Sequence, residues 1–282
     1  MTHCLFATDL HGHEDRYEKL LAAVERERPA AVLIGGDLLA HPFSRQGPTD
    51  LFHDFLQPRL ARVKDKLGRD YPRVLVILGN DDPRSEATSL EELAADGLLE
   101  HLHMRWTEIG DFRVFGYACV PPTPFALKDW ERWDVSRHLE PACVSPEEGF
   151  HSVPADTSDV RYGTIAKDLA ALVGSNGLER AVILFHSPPY ETNLDRAALD
   201  GHVVEHVPLD LHVGSIAIRR FIEERQPLLT LHGHVHESAR LTGSWRDRIG
   251  RTHLLSAAHD GPELALVRFD LEDPASATRD LI

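Results

Sequence analysis

An α/β fold built on parallel central strands is predicted by three features of this chain. The apolar runs in "HCLFAT", "AAVLIGGD", "RVLVILGND" and "RAVILFHSPPY" each stop at a glycine or a polar cluster, the pattern of strands buried on both faces. Stretches with helical periodicity alternate with them. Each run also ends in a short polar motif, at the carboxyl end of the strand, where parallel α/β sheets bind ligands.

Taken in order, residues 3–8 form a strand that stops at Asp9. Tyr17, Leu20, Leu21 and Val24 follow at i, i+3, i+4 and i+7, giving an amphipathic helix over 14–28 that ends near Pro29. The next run is stopped by Gly35 and Gly36, residues 49–68 are helical, and "RVLVILGND" repeats the strand pattern. "FRVFGYA", 112–118, alternates and suits an antiparallel pair. Residues 119–163 are rich in Pro, Trp, Glu and His without a period, and predict a lid-like insertion with short helices, packed by Trp130, Trp133 and Phe150. A helix near 163–173 precedes a fourth buried strand that ends at His186. Ser215 is placed to cap a helix with Ile218, Phe221 and Ile222 on one face, stopped by Pro227. "LLTLHGHVHES" gives a fifth strand, and 252–257 and 263–270 are expected as closing antiparallel strands. With no repeat and no strong linker, one domain over 1–282 is expected, carrying the insertion around 119–163.

The 282 residues are 42 % hydrophobic and 27 % charged, ordinary values for a soluble globular enzyme. "MTHCLFATDLHG" has neither a basic segment nor a long apolar one, so no secretory signal is read. No apolar run approaches the ~18–20 residues that span a membrane. Cys4, Cys119 and Cys143 are too few and scattered for a disulfide framework or a thiolate metal site. A reducing, cytoplasmic setting is expected. A formal net charge of −15 argues against a nucleic-acid backbone as partner. Nothing in the sequence signals an oligomeric state.

The strand ends together supply Asp9, His11, Asp37, Asn80, His186, His234 and His236. His234 and His236, at i and i+2 on extended chain, point to one side. Imidazole and oxygen donors without thiolate suit Zn, Fe, Mn or Ni. Seven donors exceed what one tetrahedral ion uses. They suit two divalent ions sharing a carboxylate, about 3.5–4 Å apart, which clamp the attacking and leaving oxygens of a displacement at phosphorus.

This ordered set resembles the calcineurin-like metallophosphoesterases, whose pattern runs D-x-H, G-D, G-N-H-D/E, H and G-H-x-H. "HSPPYETNLD" and "HVGSIAIRRFIEERQPLLTLHGHVHES" look like an Icc-related bacterial and archaeal branch. The resemblance implies a two-sheet β sandwich flanked by helices, in four αββα layers. It also implies a dinuclear metal-dependent phosphoric ester hydrolase, a phosphodiesterase or phosphatase. Asp9, His11 and His236 would hold one ion, and Asn80, His186 and His234 the other. Asp37 would bridge them, with a hydroxide between the ions as nucleophile. One position departs from the pattern: the chain reads Gly79-Asn80-Asp81-Asp82. Where relatives carry a His that serves the leaving oxygen, Asp81 is a poor acid, since a free Asp has a pKa of about 3.9 and nearby cations lower it further. Either the substrate has a good leaving group, such as a nucleotide or another phosphate, or a second residue supplies the proton. His212 in "DLHVGS" is the candidate, against the plainer reading of a cap or surface residue. Asp82 is expected to orient its loop or to pair with an arginine.

Other residues carry a plain and a functional reading. His13, His41 and His53 read as surface residues. Arg161, Lys128 and Arg132 are either phosphate clamps or, more commonly for such residues, partners in salt bridges. His259 is a candidate to approach the site, and Trp130 and Trp133 either stack on a base or pack the insertion. No G-x-S-x-G elbow, P-loop or dinucleotide-binding glycine motif is present. The expected substrate is a small phosphorylated molecule, a phosphodiester or nucleotide type. The rival readings are a metal-dependent nuclease on the same core, and a non-catalytic scaffold of the same fold, against which all seven filled positions argue.

Overall fold

Short, largely buried strands alternate with helices through the first hundred or so residues. In the computed structural model, which describes residues 2–40 and 50–282, β1 spans His3–Ala7, β2 Ala31–Gly35, β3 Arg73–Ile77, β4 Glu100–His101, β5 Arg105–Ile109, β6 Phe112–Tyr117 and β7 Ala181–Phe185. β8 (Val203–Val204) and β9 (Val207–Pro208) make a small hairpin, and β10 (Leu229–His232), β11 (Arg246–Ile249), β12 (Thr252–Ser256), β13 (Ala265–Asp270) and β14 (Thr278–Leu281) follow. The helices are α1 (Glu14–Glu27), α2 (Gln57–Leu67), α3 (Ala87–Ala95), α4 (Thr157–Tyr162), α5 (Ile165–Val173), α6 (Ile216–Arg225) and α7 (Ser238–Thr242). His41 and position 49, where the second helix was expected to begin, lie outside the described residues. A π-helical turn, Leu51–Leu56, leads into α2.

Two six-stranded sheets, ordered β14-β13-β1-β2-β3-β4 and β11-β12-β10-β7-β6-β5, form the sandwich. α1 and α2 cover the first, where Tyr17, Leu20 and Leu60 meet Val32, Val74 and Val76. α5 and α6 cover the second, through the Tyr117–Asp168 hydrogen bond of 2.8 Å and the edge-on Phe185–Phe221 pair. Between the sheets packing is tight: a Cβ on Gly116 of β6 would lie 2.9 Å from Ile77 Cγ2 of β3. This is the expected α/β sandwich flanked by helices. Among the described residues no helix is long and apolar enough to cross a membrane.

Of the two closing strands, β13 is antiparallel to both its neighbours, as expected, and β12 corrects the sequence reading in part. β12 runs parallel to β10 and is antiparallel only to β11. β13 is antiparallel to β1, in the other sheet. An apolar run reports burial, not which neighbour a strand pairs with, so its direction was not encoded in periodicity. β6 is antiparallel to β5, as expected, and parallel to β7.

Residues 119–163, the segment expected as a lid-like insertion, are packed onto the rest of the protein. Trp130 and Trp133 are buried against the body of the protein, whereas Phe150, expected to share that work, is 63 % exposed. Lys128 and Glu131 form an ion pair with no exposure of either side chain. From this segment the Asp134 carboxylate reaches the start of α6, accepting from Ser215 Oγ at 2.5 Å, Ile216 N at 2.8 Å and Ala217 N at 3.1 Å. Ser215 in turn caps the helix by accepting from Ile218 N at 3.0 Å. Asp134→Ala strips an acceptor from three donors at a buried helix start, so it should cost about 1–3 kcal/mol. Thermal unfolding checks this, and an unchanged midpoint would refute the docking role.

Candidate metal centre

The site grows from strand ends. β1, β2 and β3 are parallel and in register, Ala7 beside Ile34 and Gly35 beside Ile77, so Asp9, Asp37 and Asn80 leave the first sheet on one edge. β7 and β10 are parallel in the second sheet, and Gly233 N donates to His186 O at 2.9 Å, which sets His186 beside the His234–His236 turn. The His186 ring crosses between sheets, with Nδ1 2.8 Å from Gly35 O.

Asp9, His11, Asp37 and His234 all adopt positive φ, at 55°, 47°, 50° and 73°. Side chains other than glycine rarely take this conformation, and it costs on the order of 1 kcal/mol or more each. The surroundings hold it: Asp9 N donates to Gly36 O at 3.0 Å and His11 N to Asp37 O at 2.9 Å. Fully buried Asp82 adds a clamp, accepting from Leu38 N, Leu39 N and Gly79 N at 2.8–3.0 Å. Of the two readings for Asp82, loop orientation fits; its side-chain partners among the described residues are backbone amides and not an arginine. Burial, and then the Asp37 charge, push its pKa up to about 7.

All seven strand-end residues meet. Donor atoms of Asp9, His11, Asp37 and His236 lie within 4.8 Å of one another, as do those of Asp37, His186 and His234. Asp37 Oδ2 is 3.3 Å from His186 Nε2 and 3.9 Å from His11 Nε2. Asn80 Oδ1 is 3.1 Å from His186 Nε2. The two Nε2 atoms of His11 and His236 stand 3.1 Å apart, and His236 Nε2 is 3.4 Å from Asp9 Oδ1.

The charges inside this cluster are strongly perturbed. Burial works against the charged form of Asp37, yet His186, His11 and the Asp81 amide hold it well below the usual carboxylate range. Burial alone would lower His186, but Asp37 outweighs it and carries the pKa up to about 10. Asp9 does the same for His236 against burial, to about 9. His234 is part-buried beside His186, and desolvation followed by the His186 charge pushes its pKa down to about 3. Two nearly buried carboxylates are thus drawing positive charge onto neighbouring imidazoles. Nitrogen and oxygen donors converging on such a place fit divalent cations of the Mn, Fe, Ni or Zn type.

The remaining candidates are placed as follows. Asp81 borders the cluster: its N donates to Asp37 Oδ1 at 2.9 Å, its Oδ1 accepts from Asn80 Nδ2 at 3.1 Å, and Oδ2 is 3.9 Å from His11 Nδ1. His212 contacts Asp195, Asp210 and Tyr190 rather than the seven. His259 pairs with Glu263, and His53 with Asp50 and Glu92. Exposed His13 precedes α1. Lys128, Arg132 and Arg161 are all engaged in salt bridges of the insertion, which favours their plain reading. Buried Trp130 and Trp133 pack rather than present a face for stacking.

One contributor escaped the sequence reading. Arg16, mostly buried, donates to Asp9 O at 2.8 Å and to Gly261 O at 2.7 Å, tying the backbone of a site residue to the loop after β12. The available signal was its helical position: Arg16, Leu20 and Ala23 share the buried side of α1, where an unpartnered charge would be costly.

The chain belongs to the calcineurin-like phosphoesterase family, which it matches over residues 2–238. One solved structure aligns with 99 % of this chain and 98 % of its own at 19 % identity, with a TM-score of 0.61. A second, the TT1561 protein of Thermus thermophilus, aligns over the same shares, 99 % and 98 %, at 16 % identity and a TM-score of 0.54. These two share the fold. An archaeal phosphodiesterase covers 99 % of each chain at 9 % identity and a TM-score of 0.47. Among curated proteins none matches the sequence.

Proposed function

We propose that this protein hydrolyses a phosphodiester or nucleotide-type ester at two divalent ions. Asp9, His11 and His236 would hold one ion and Asn80, His186 and His234 the other, with Asp37 between them. The observation that carries this reading is the presence of the Asp37 carboxylate in both donor groups. When bound, such a pair supplies Lewis-acid polarisation of the phosphoryl group and a hydroxide nucleophile near neutral pH.

The chain's own residues prepare the place. Donation from His186 Nδ1 to Gly35 O leaves Nε2 as the ligand atom. Donation from Asn80 Nδ2 to Asp81 Oδ1 leaves the amide oxygen for the site, a ligand without further charge. Asp81 therefore acts as an acceptor that orients Asn80. That role supports the preference for a substrate whose leaving group needs little help, or for a proton donor elsewhere.

Metal analysis of the purified chain, with an assay on bis(p-nitrophenyl) phosphate, tests the reading. We expect bound divalent metal, release of p-nitrophenol, loss of the rate on chelation, and recovery with Mn²⁺. A chain that stays empty in manganese and leaves the diester intact would overturn it and favour the scaffold reading.

A further inference from the structure

We propose that His212 is the acid that protonates the leaving oxygen, positioned by Asp195; this rests on the phosphoesterase reading above. Asp195 has no exposed surface. Its Oδ1 lies 2.8 Å from His212 Nδ1 and also accepts from Thr192 N at 2.8 Å. Its Oδ2 accepts from Glu191 N at 2.9 Å and Gly214 N at 3.2 Å. Three backbone amides thus fix the carboxylate, and the carboxylate fixes the imidazole with Nδ1–H donating. Among the described residues Nε2 has no partner, on a side chain 33 % exposed. The plainer reading of a helix cap fails, because Ser215 and Asp134 already fill that role for α6. A buried carboxylate, held by backbone amides and bonded to a part-exposed imidazole, is an arrangement that suits a proton-transferring histidine.

The lobe that carries the pair is tied on two sides to residues that neighbour the cluster in sequence. It starts at Ser187, directly after His186. It returns where Ser215 N donates to Pro188 O at 2.9 Å, and a Cβ on Gly214 would stand 2.8 Å from that same oxygen. His212 pairs antiparallel with Arg196, and two residues on Ala198 N donates to Glu237 Oε1 at 2.9 Å, next to His236. In the reaction, the oxygen of water bonds to phosphorus as the ester P–O bond breaks. The leaving oxygen takes the proton from Nε2, and neutral His212 keeps Nδ1–H on Asp195. The proton shed by the attacking water goes to solvent, from which Nε2 is recharged.

The test compares Mn²⁺-loaded wild type and His212→Gln on methylphosphate diesters whose leaving alcohols run from p-nitrophenol to simple alkanols. The loss should grow with leaving-group pKa, reaching about 100-fold for the alkyl ester, the lower end for general acid catalysis. Metal content and thermal midpoint should hold. Asp195→Asn should give the same graded pattern, more weakly. An equal loss on every ester, or none on the alkyl ester, overturns the role of His212. A wild type that binds no metal and cleaves no ester overturns the phosphoesterase reading instead.

Discussion

Asp37→Asn is expected to lower kcat/KM by more than about 100-fold and to leave the purified chain short of at least one ion. Mutating mere outer partners of metal ligands already costs about 10–100-fold, and Asp37 stands in both donor groups. The replacement is nearly isosteric, so a side-chain oxygen can still accept from Asp81 N, and the thermal midpoint should stay near that of the wild type. What disappears is the charge. Asp37 is the main influence lifting His186 against burial; with an amide there, the imidazole is less readily protonated, but the cations lose their shared anion. Rate and metal content measured on one preparation check this. Two ions and undiminished turnover would remove Asp37 from the centre of the site.

The elements were legible because each is a local pattern. Strands β1, β2, β3, β7 and β10 are continuous apolar runs cut off by glycine or a polar group, and α1 and α6 show their faces at i, i+3 and i+4. Sheet membership was not legible. β12 and β13 are both short apolar strands, yet one lies parallel to β10 and the other antiparallel to β1. A strand buried on both faces has no polar side to specify its neighbour. The insertion was illegible for a related reason: what orders it is not periodicity but single contacts over long separations, such as Asp134 with the start of α6 and Asp129 with Arg84 N at 2.7 Å.

Within the site, residues that point side chains at the cluster could be found by type and order. Of those that act through backbone, Asp82 was expected to orient its loop, though not through which partners, and Arg16 was missed. Asp82 works on three amides, and Arg16 on two carbonyls. Neither partner set has a side-chain identity that a sequence displays. The positive φ at Asp9, His11, Asp37 and His234 was equally hidden: Asp and His enter the left-handed region more often than most side chains, yet too rarely for residue type alone to mark the turn. That strain and the amide clamps belong together: the loops are held in costly conformations by bonds formed only in the folded state.

Gly79→Ala should therefore be among the most damaging single-methyl changes in the protein. A Cβ there would run into Asp37 Oδ1, and would stand 2.5 Å from Asp37 N and 2.8 Å from His186 Cε1. None of these is the free end of a flexible chain. Asp37 is held by Asp81 N, His186 by Gly35 O, and Gly79 itself by Asp82. Overpacking a rigid place costs about 1–3 kcal/mol, and here relief requires moving the carboxylate common to both donor groups. The fold should survive with a lowered midpoint, while metal affinity and rate fall further than the stability loss alone explains. Circular dichroism, thermal unfolding and metal titration on the same variant separate the two effects. If Gly79→Ala retained both ions at wild-type affinity, the loops would be more compliant than their hydrogen bonds imply, and the rigidity attributed to Asp82 and Gly35 would have to be abandoned.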